Sequence, residues 1–421
     1  MSIRRSELPN GLRIVTEQMP GVPSVTVGIW VENGSRFESP RQGGLSHFLE
    51  HMLFKGTPTR TAAQIAEEID AVGGVLNAFT GKEYTCYYAR VLAEHAPIAT
   101  AILSDIFLNS LFDEEEIERE RSVVLQEISQ VDDTPDDYVH ELFNLRYWPG
   151  HPLSFPVCGT AETVSAFQRQ DFLELVATRY RPDRILVTAA GDITHEAVEE
   201  WVARDFSGLE GRAPLDGRPV TSVRSGVYVE EKPLEQAHVA FGTYGVSQLA
   251  SERYAAYVLN TALGGGMSSR LFQEIREKRG RAYTVHSYLS SFRDAGYLGI
   301  YVGTSPEWLQ EVCDVIATQL RAIAKDGLGG TELERAKNQL KGGMLLGLET
   351  SDSRMSRIAK NEIYFRQDIP IAQVATAIDA VTNEEIRALA ARMSEGESVG
   401  VAVLGDFKRS GVAESLLGGF Q

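Results

Sequence analysis

His47, Glu50 and His51 stand together in the stretch Gly43-Gly44-Leu45-Ser46-His47-Phe48-Leu49-Glu50-His51-Met52-Leu53. On a helix, positions i and i+4 lie about 40° apart, so both imidazoles can reach one ion, and Glu50 at i+3 borders the same face. Leu45, Phe48, Leu49, Met52 and Leu53 supply the apolar support. Two imidazoles at this spacing suit zinc. A catalytic zinc also needs one more protein ligand and an open position for water, so a further donor must come from a distant stretch. The other histidines, His95, His140, His151, His195, His238 and His286, form no comparable spaced pair and read as surface or hydrogen-bonded residues.

The elements that must position this chemistry carry a weak internal repeat. Val25-Thr26-Val27-Gly28 recurs as Val239-Ala240-Phe241-Gly242, and the strand-like stretch 185–190 with Gly191-Asp192-Ile193 recurs as 399–404 with Gly405-Asp406-Phe407. Both pairs are 214 residues apart, about half of the 421-residue chain, which indicates a duplicated domain rather than a short-period solenoid. The expected division is a zinc-binding domain over 1–210, a linker over 211–221 rich in glycine and proline, and a homologous metal-free domain over 222–421. Alternation over 25–31 reads as a strand, and 75–80 with 84–91 reads as a hairpin turned at Gly81-Lys82-Glu83. Helical spacing covers 102–109, 114–131, 161–177, 251–263, 308–324 and 331–348. Strands followed by helices within each half predict an α+β fold, two homologous domains each with a mostly antiparallel sheet and helices layered on one face.

The order His-x-x-Glu-His marks the inverzincins. Essentially end to end, the chain resembles the pitrilysin-type (M16) zinc metallopeptidases, in particular the half-length group of mitochondrial processing peptidase and its bacterial relatives. The resemblance implies one zinc ion per chain, with Glu127, 76 residues past His51, as third ligand beside His47 and His51. It makes Glu120, close to two helical turns before Glu127, the supporting carboxylate. Glu50 is then the general base that takes a proton from a metal-activated water and passes it to the leaving amine. Arg276 and Tyr283, seven residues apart, match the pair that reaches substrate in the last domain of longer family members. A two-domain chain would recreate that arrangement as a homodimer, each copy completing the other's site. Asn77, Ala78 and Phe79 correspond to the substrate-binding edge strand. Asp137 and Glu141 match acidic residues that receive a substrate arginine in processing-type relatives. One departure is Ser154-Phe155, where relatives commonly carry Gly-Arg.

At positions matching His47, Glu50 and His51 the second half has Thr261, Gly264 and Gly265, so it carries no second zinc site. Its triple glycine, 264–266, completes no nucleotide fingerprint. Apolar residues make up 43% and charged residues 24% of the chain, which excludes a disordered or fibrous protein. With 41 basic against 58 acidic residues the net charge is −17, which argues against nucleic acid and favours basic peptides. Three dispersed cysteines form no disulfide framework, and no stretch is apolar enough for a membrane span. The expectation is a cytoplasmic, bacterial zinc endopeptidase acting on short or unfolded peptides inside a closed chamber. The competing readings are a non-catalytic assembly subunit and the zinc subunit of a heterodimer.

Overall fold

The computed structural model of the chain describes residues 2–214, 219–220 and 222–407. Residues 215–218 and 221 of the expected linker, and the stretch 408–421, lie outside the described residues. The strands are β1 (Ser2–Glu7), β2 (Arg13–Gln18), β3 (Ser24–Val31), β4 (Val75–Thr80), β5 (Thr85–Leu92), β6 (Ile185–Gly191), β7 (Gly226–Glu231), β8 (Ala237–Tyr244), β9 (Ala282–Ser291), β10 (Gly296–Thr304) and β11 (Gly400–Gly405). The helices of the first half are α1 (Leu45–Leu53), α2 (Ala62–Asp70), α3 (Ala96–Asn109), α4 (Glu114–Asp133), α5 (Pro135–Tyr147), α6 (Ala161–Ala166), α7 (Arg169–Arg179) and α8 (His195–Phe206). Those of the second are α9 (Arg253–Gly264), α10 (Leu309–Asp326), α11 (Gly330–Gly347), α12 (Ser351–Phe365), α13 (Ile371–Ala380) and α14 (Asn383–Met393).

Two compact units result, and neither is one contiguous half. The first comprises 1–130, 155–218 and 347–368, and the second 131–154, 219–346 and 369–421. Helix α5 packs with the second unit and α12 with the first.

In the first unit a six-stranded sheet runs β1-β2-β6-β3-β5-β4, antiparallel except for the β2/β6 pair. In the second a five-stranded sheet runs β7-β11-β8-β10-β9, antiparallel except for β11/β7. The two stretches of the repeat occupy corresponding places: β3 and β8 are central, and β6 and β11 each join a parallel to an antiparallel neighbour.

The two glycines that end the first repeat element, Gly28 and Gly242, explain why it recurs. A Cβ on Gly28 would lie 2.8 Å from Sδ of Met355 in α12, and one on Gly242 would lie 2.1 Å from Cζ of Phe143 in α5. Each is the point where an exchanged helix presses onto its sheet. This helix covers the face opposite the main helix layer, so β3 is buried on both faces although its sequence alternates. The expected layering of helices on one face thus gains a single helix on the other. In the first unit that helix is tied down by Arg354 to Glu17 at 2.6 Å, Tyr364 to Glu83 at 2.8 Å and Arg13 to Glu362 at 3.2 Å.

The expected hairpin forms as β4 and β5. The helical stretch 161–177 is broken instead into α6 and α7. Phe167 is extended, and Gln168 opens a new helix in a capping box with Asp171.

Candidate metal centre

All of the candidate metal centre lies in the first unit. Helix α1 buries Leu45, Phe48, Leu49, Met52 and Leu53 in the core, which turns His47, Glu50 and His51 to its outer side. Helix α4 buries Ile117, Val124 and Ile128, and presents Glu120 and Glu127 on the side that meets α1. Glu127 Oε2 stands 3.6 Å from His47 Nε2 and 3.5 Å from His51 Nε2. Among the described residues, these three form the one group of His, Cys, Asp or Glu able to converge on an ion, their ligand atoms lying within 4.8 Å of one another.

The donor set fits zinc. Atoms held by a tetrahedral zinc are about 3.3 Å apart, and Glu127 Oε2 already stands within tenths of an ångström of that spacing from each imidazole, the whole group lying within 4.8 Å. Burial, and then the neighbouring His51, lower His47 to about 4, so its ring is neutral at neutral pH, the state a ligand requires.

Support for the two imidazoles is unequal. His51 Nδ1 donates to Glu120 Oε2 at 3.1 Å, and Glu120 Oε1 accepts from Lys55 Nζ at 2.5 Å. This is the carboxylate–histidine arrangement that fixes a ring's tautomer and aim. His47 Nδ1 is buried with no hydrogen-bond partner among the described residues. Glu50 accepts from the Thr80 hydroxyl on β4. Burial raises its affinity for a proton, with Glu127 adding to the effect, while Thr80 and His51 oppose it. Sequence reasoning missed Lys55 and Thr80. Lys55 lies one turn beyond His51, a spacing that could have flagged it.

Asn77, Ala78 and Phe79 lie on β4, the free edge of the first sheet. Leu76, Ala78 and Thr80 face inward, and Val75, Asn77 and Phe79 outward, with the Phe79 ring packed edge-on at 5.5 Å against Trp30. The remaining candidates belong to the second unit. Arg276 places its guanidinium 4.6 Å from the Tyr283 ring centroid, and Tyr283 is 78% exposed. Asp137 and Glu141 are one turn apart on α5, Asp137 exposed and Glu141 half-buried.

The second unit packs differently at the matching position. At Gly264, matching Glu50, a Cβ would lie 2.4 Å from the backbone nitrogen of Ser287 on the edge strand β9. Helix α9 is thus pressed against the strand, where α1 instead projects the Glu50 side chain to Thr80.

Two like-built α+β domains, one carrying converging imidazoles and a carboxylate, define a zinc peptidase. The chain belongs to peptidase family M16. Residues 13–161 match the model described as Insulinase (Peptidase family M16), and residues 166–340 the Peptidase M16 inactive domain. The chain is 41% identical over 391 residues to the uncharacterized zinc protease YmxG of Bacillus subtilis, covering 93% of this chain and 95% of that one. It is 43% identical over 407 residues to an uncharacterized zinc protease of Mycobacterium tuberculosis, covering 96% and 93%. A solved protease from Helicobacter pylori shares the fold at TM-score 0.88 and 21% identity, covering 96% of this chain and 99% of that one. The family is zinc-dependent, and zinc is the cofactor of this chain. Among the described residues no single helix is long and apolar enough to cross a membrane.

Proposed function

We propose that the chain is a zinc-dependent endopeptidase in which His47, His51 and Glu127 hold the ion. The observation that carries this reading is the convergence of those three ligand atoms with Glu50 on the same face of α1. Zinc held there supplies a Lewis acid that polarises the scissile carbonyl and acidifies a water. Glu50 takes a proton from the attacking water and delivers it to the nitrogen of the departing amine, while the Thr80 hydroxyl holds its carboxylate in place. Glu120 keeps His51 aimed. The free edge of β4 accepts an extended peptide through backbone hydrogen bonds, which selects flexible chains without demanding one sequence.

Asp137, Glu141 and the net charge of −17 favour basic peptides. Arg276 and Tyr283, stacked on each other with the tyrosine exposed, are the pair that a second copy would offer, giving a homodimer that encloses short or unfolded substrates. The buried free thiols of Cys86 and Cys313 accord with a reducing, cytoplasmic setting. An assembly subunit would have no physical need for the converged set.

The test is Glu50→Gln, incubated with a peptide mixture whose products are read by mass with and without chelator. The variant should retain zinc and lose cleavage. Turnover comparable to the parent, in a preparation free of other proteases, would refute the role of Glu50.

A further inference from the structure

Helix α1 starts from a tightly held loop. Glu38, only 4% exposed, follows the short turn Ser35–Phe37 and points its carboxylate at the start of the helix. Oε2 accepts from the Gly44 N–H at 2.9 Å and Oε1 from the Ser46 N–H at 2.6 Å. The first N–H groups of a helix have no partner within it, and a carboxylate there is also favoured by the helix dipole.

The loop is clamped from a second side. Gly44 has φ +91°, and a Cβ on it would lie 2.5 Å from the Cys158 carbonyl oxygen. Gly159 has φ +76°, and a Cβ on it would lie 2.3 Å from the Gly43 oxygen. Two glycine backbones therefore cross in contact, and Thr163 Oγ1 adds a 2.7 Å bond to the Gly43 oxygen. Ser46 is further held by Asn33 Nδ2 at 3.0 Å on its hydroxyl.

His47 is the residue after Ser46, in the first turn of α1. Its Nδ1 has no hydrogen-bond partner among the described residues, so its ring lacks the anchor that Glu120 gives His51. The aim of His47 thus depends on the backbone that carries it.

We propose that Glu38 is a positioning residue for the metal. By gripping the Gly44 and Ser46 amides it fixes the first turn of α1, and with it the place of His47 Nε2 relative to His51 and Glu127. This inference rests on the ligand assignment proposed above.

Zinc affinity of the full chain, measured by competition with a chromophoric chelator, tests it alongside thermal unfolding. Glu38→Ala should weaken zinc binding about 10–100-fold, the range seen when a ligand loses its outer support. Glu38→Gln, which keeps one acceptor oxygen, should fall between it and the parent. The core truncation Val202→Ala in α8 should lower the unfolding temperature and leave zinc affinity unchanged. A folded Glu38→Ala chain that binds zinc within twofold of the parent overturns the proposal, as does a loss no larger than that of Val202→Ala at an equal thermal shift. Should Glu38→Ala fail to fold, Glu38→Gln is judged by the same limits. His51→Ala separates the two levels: loss of affinity there with none in the Glu38 variants removes only the role of Glu38, whereas retained affinity removes the ligand assignment and this inference together.

Discussion

Replacing Glu120 by glutamine tests how the metal centre is held. The carboxylate serves two donors at once, His51 Nδ1 at 3.1 Å and Lys55 Nζ at 2.5 Å, from a side chain that is 9% exposed. Glutamine has one acceptor oxygen. Whichever donor takes it, the other meets the amide NH2, so one charge-assisted hydrogen bond is lost, at a cost of about 1.5–3 kcal/mol. At 1.4 kcal/mol per decade that corresponds to about 10–100-fold in equilibrium terms. Where His51 loses the bond, the cost falls on zinc affinity, because the ring's tautomer and aim are no longer set. Lys55→Met removes the competing donor and frees the single oxygen for His51. The double variant Glu120→Gln/Lys55→Met should therefore bind zinc more tightly than the sum of the single effects predicts. Chelator competition on the four proteins supplies the cycle. Additive effects, or an unchanged affinity in Glu120→Gln, would refute the shared-carboxylate account.

Acid should weaken the second unit through His140, which burial, and then the nearby His286, lower to about 4 while Asp136 opposes. The unfolded chain takes up this proton below about 6.5 and the folded one does not, so stability present above 6.5 is lost as pH falls toward 4. Between pH 7 and pH 5 the loss is about 2 kcal/mol. Urea unfolding at both pH values should show a smaller drop for His140→Gln than for the parent, and equal drops would refute the assignment. Gly264→Ala should lower the thermal midpoint, since its Cβ would lie 2.4 Å from the Ser287 nitrogen and backbone must shift, at about 1–3 kcal/mol. Gly342→Ala, inside α11 with open space around it, should raise the midpoint by the helix-propensity difference of about 0.5–1 kcal/mol. Calorimetry that finds both shifts of one sign would contradict the packing argument.

The pairing of His47 with His51 was legible because helical geometry converts a spacing of four directly into a shared face. Glu127 was not legible in that way. Nothing local links a glutamate to a histidine 76 residues before it, and family resemblance supplied the connection. Lys55, Thr80 and Glu38 acquire their contacts only when the chain folds: Thr80 needs β4 laid beside α1, and Glu38 needs a buried loop to turn back on the helix start. The exchange of α5 and α12 was hidden for a similar reason. Each has an ordinary helical pattern, and the clue to where they dock is a glycine on the sheet rather than anything in the helix. Gly28 and Gly242 were visible as the last residue of a repeated motif, but their spacing alone does not say that a helix presses there.

The duplicated architecture places Glu50 and Gly264 at corresponding positions with different packing. Both units set a helix against the edge strand of a sheet, and the gap between them is decided at one position. In the first unit Glu50 spans that gap to the Thr80 hydroxyl, and the two histidines beside it remain open to an ion. In the second, Gly264 removes the side chain, and the helix end meets the backbone at Ser287. Histidines at Thr261 and Gly265 would still lack a counterpart of Glu50, because a side chain at Gly264 has no room beside Ser287. The close contact at Gly264 packs the end of α9 onto its sheet, while elsewhere in the second unit Arg276 stacks on the exposed Tyr283 ring.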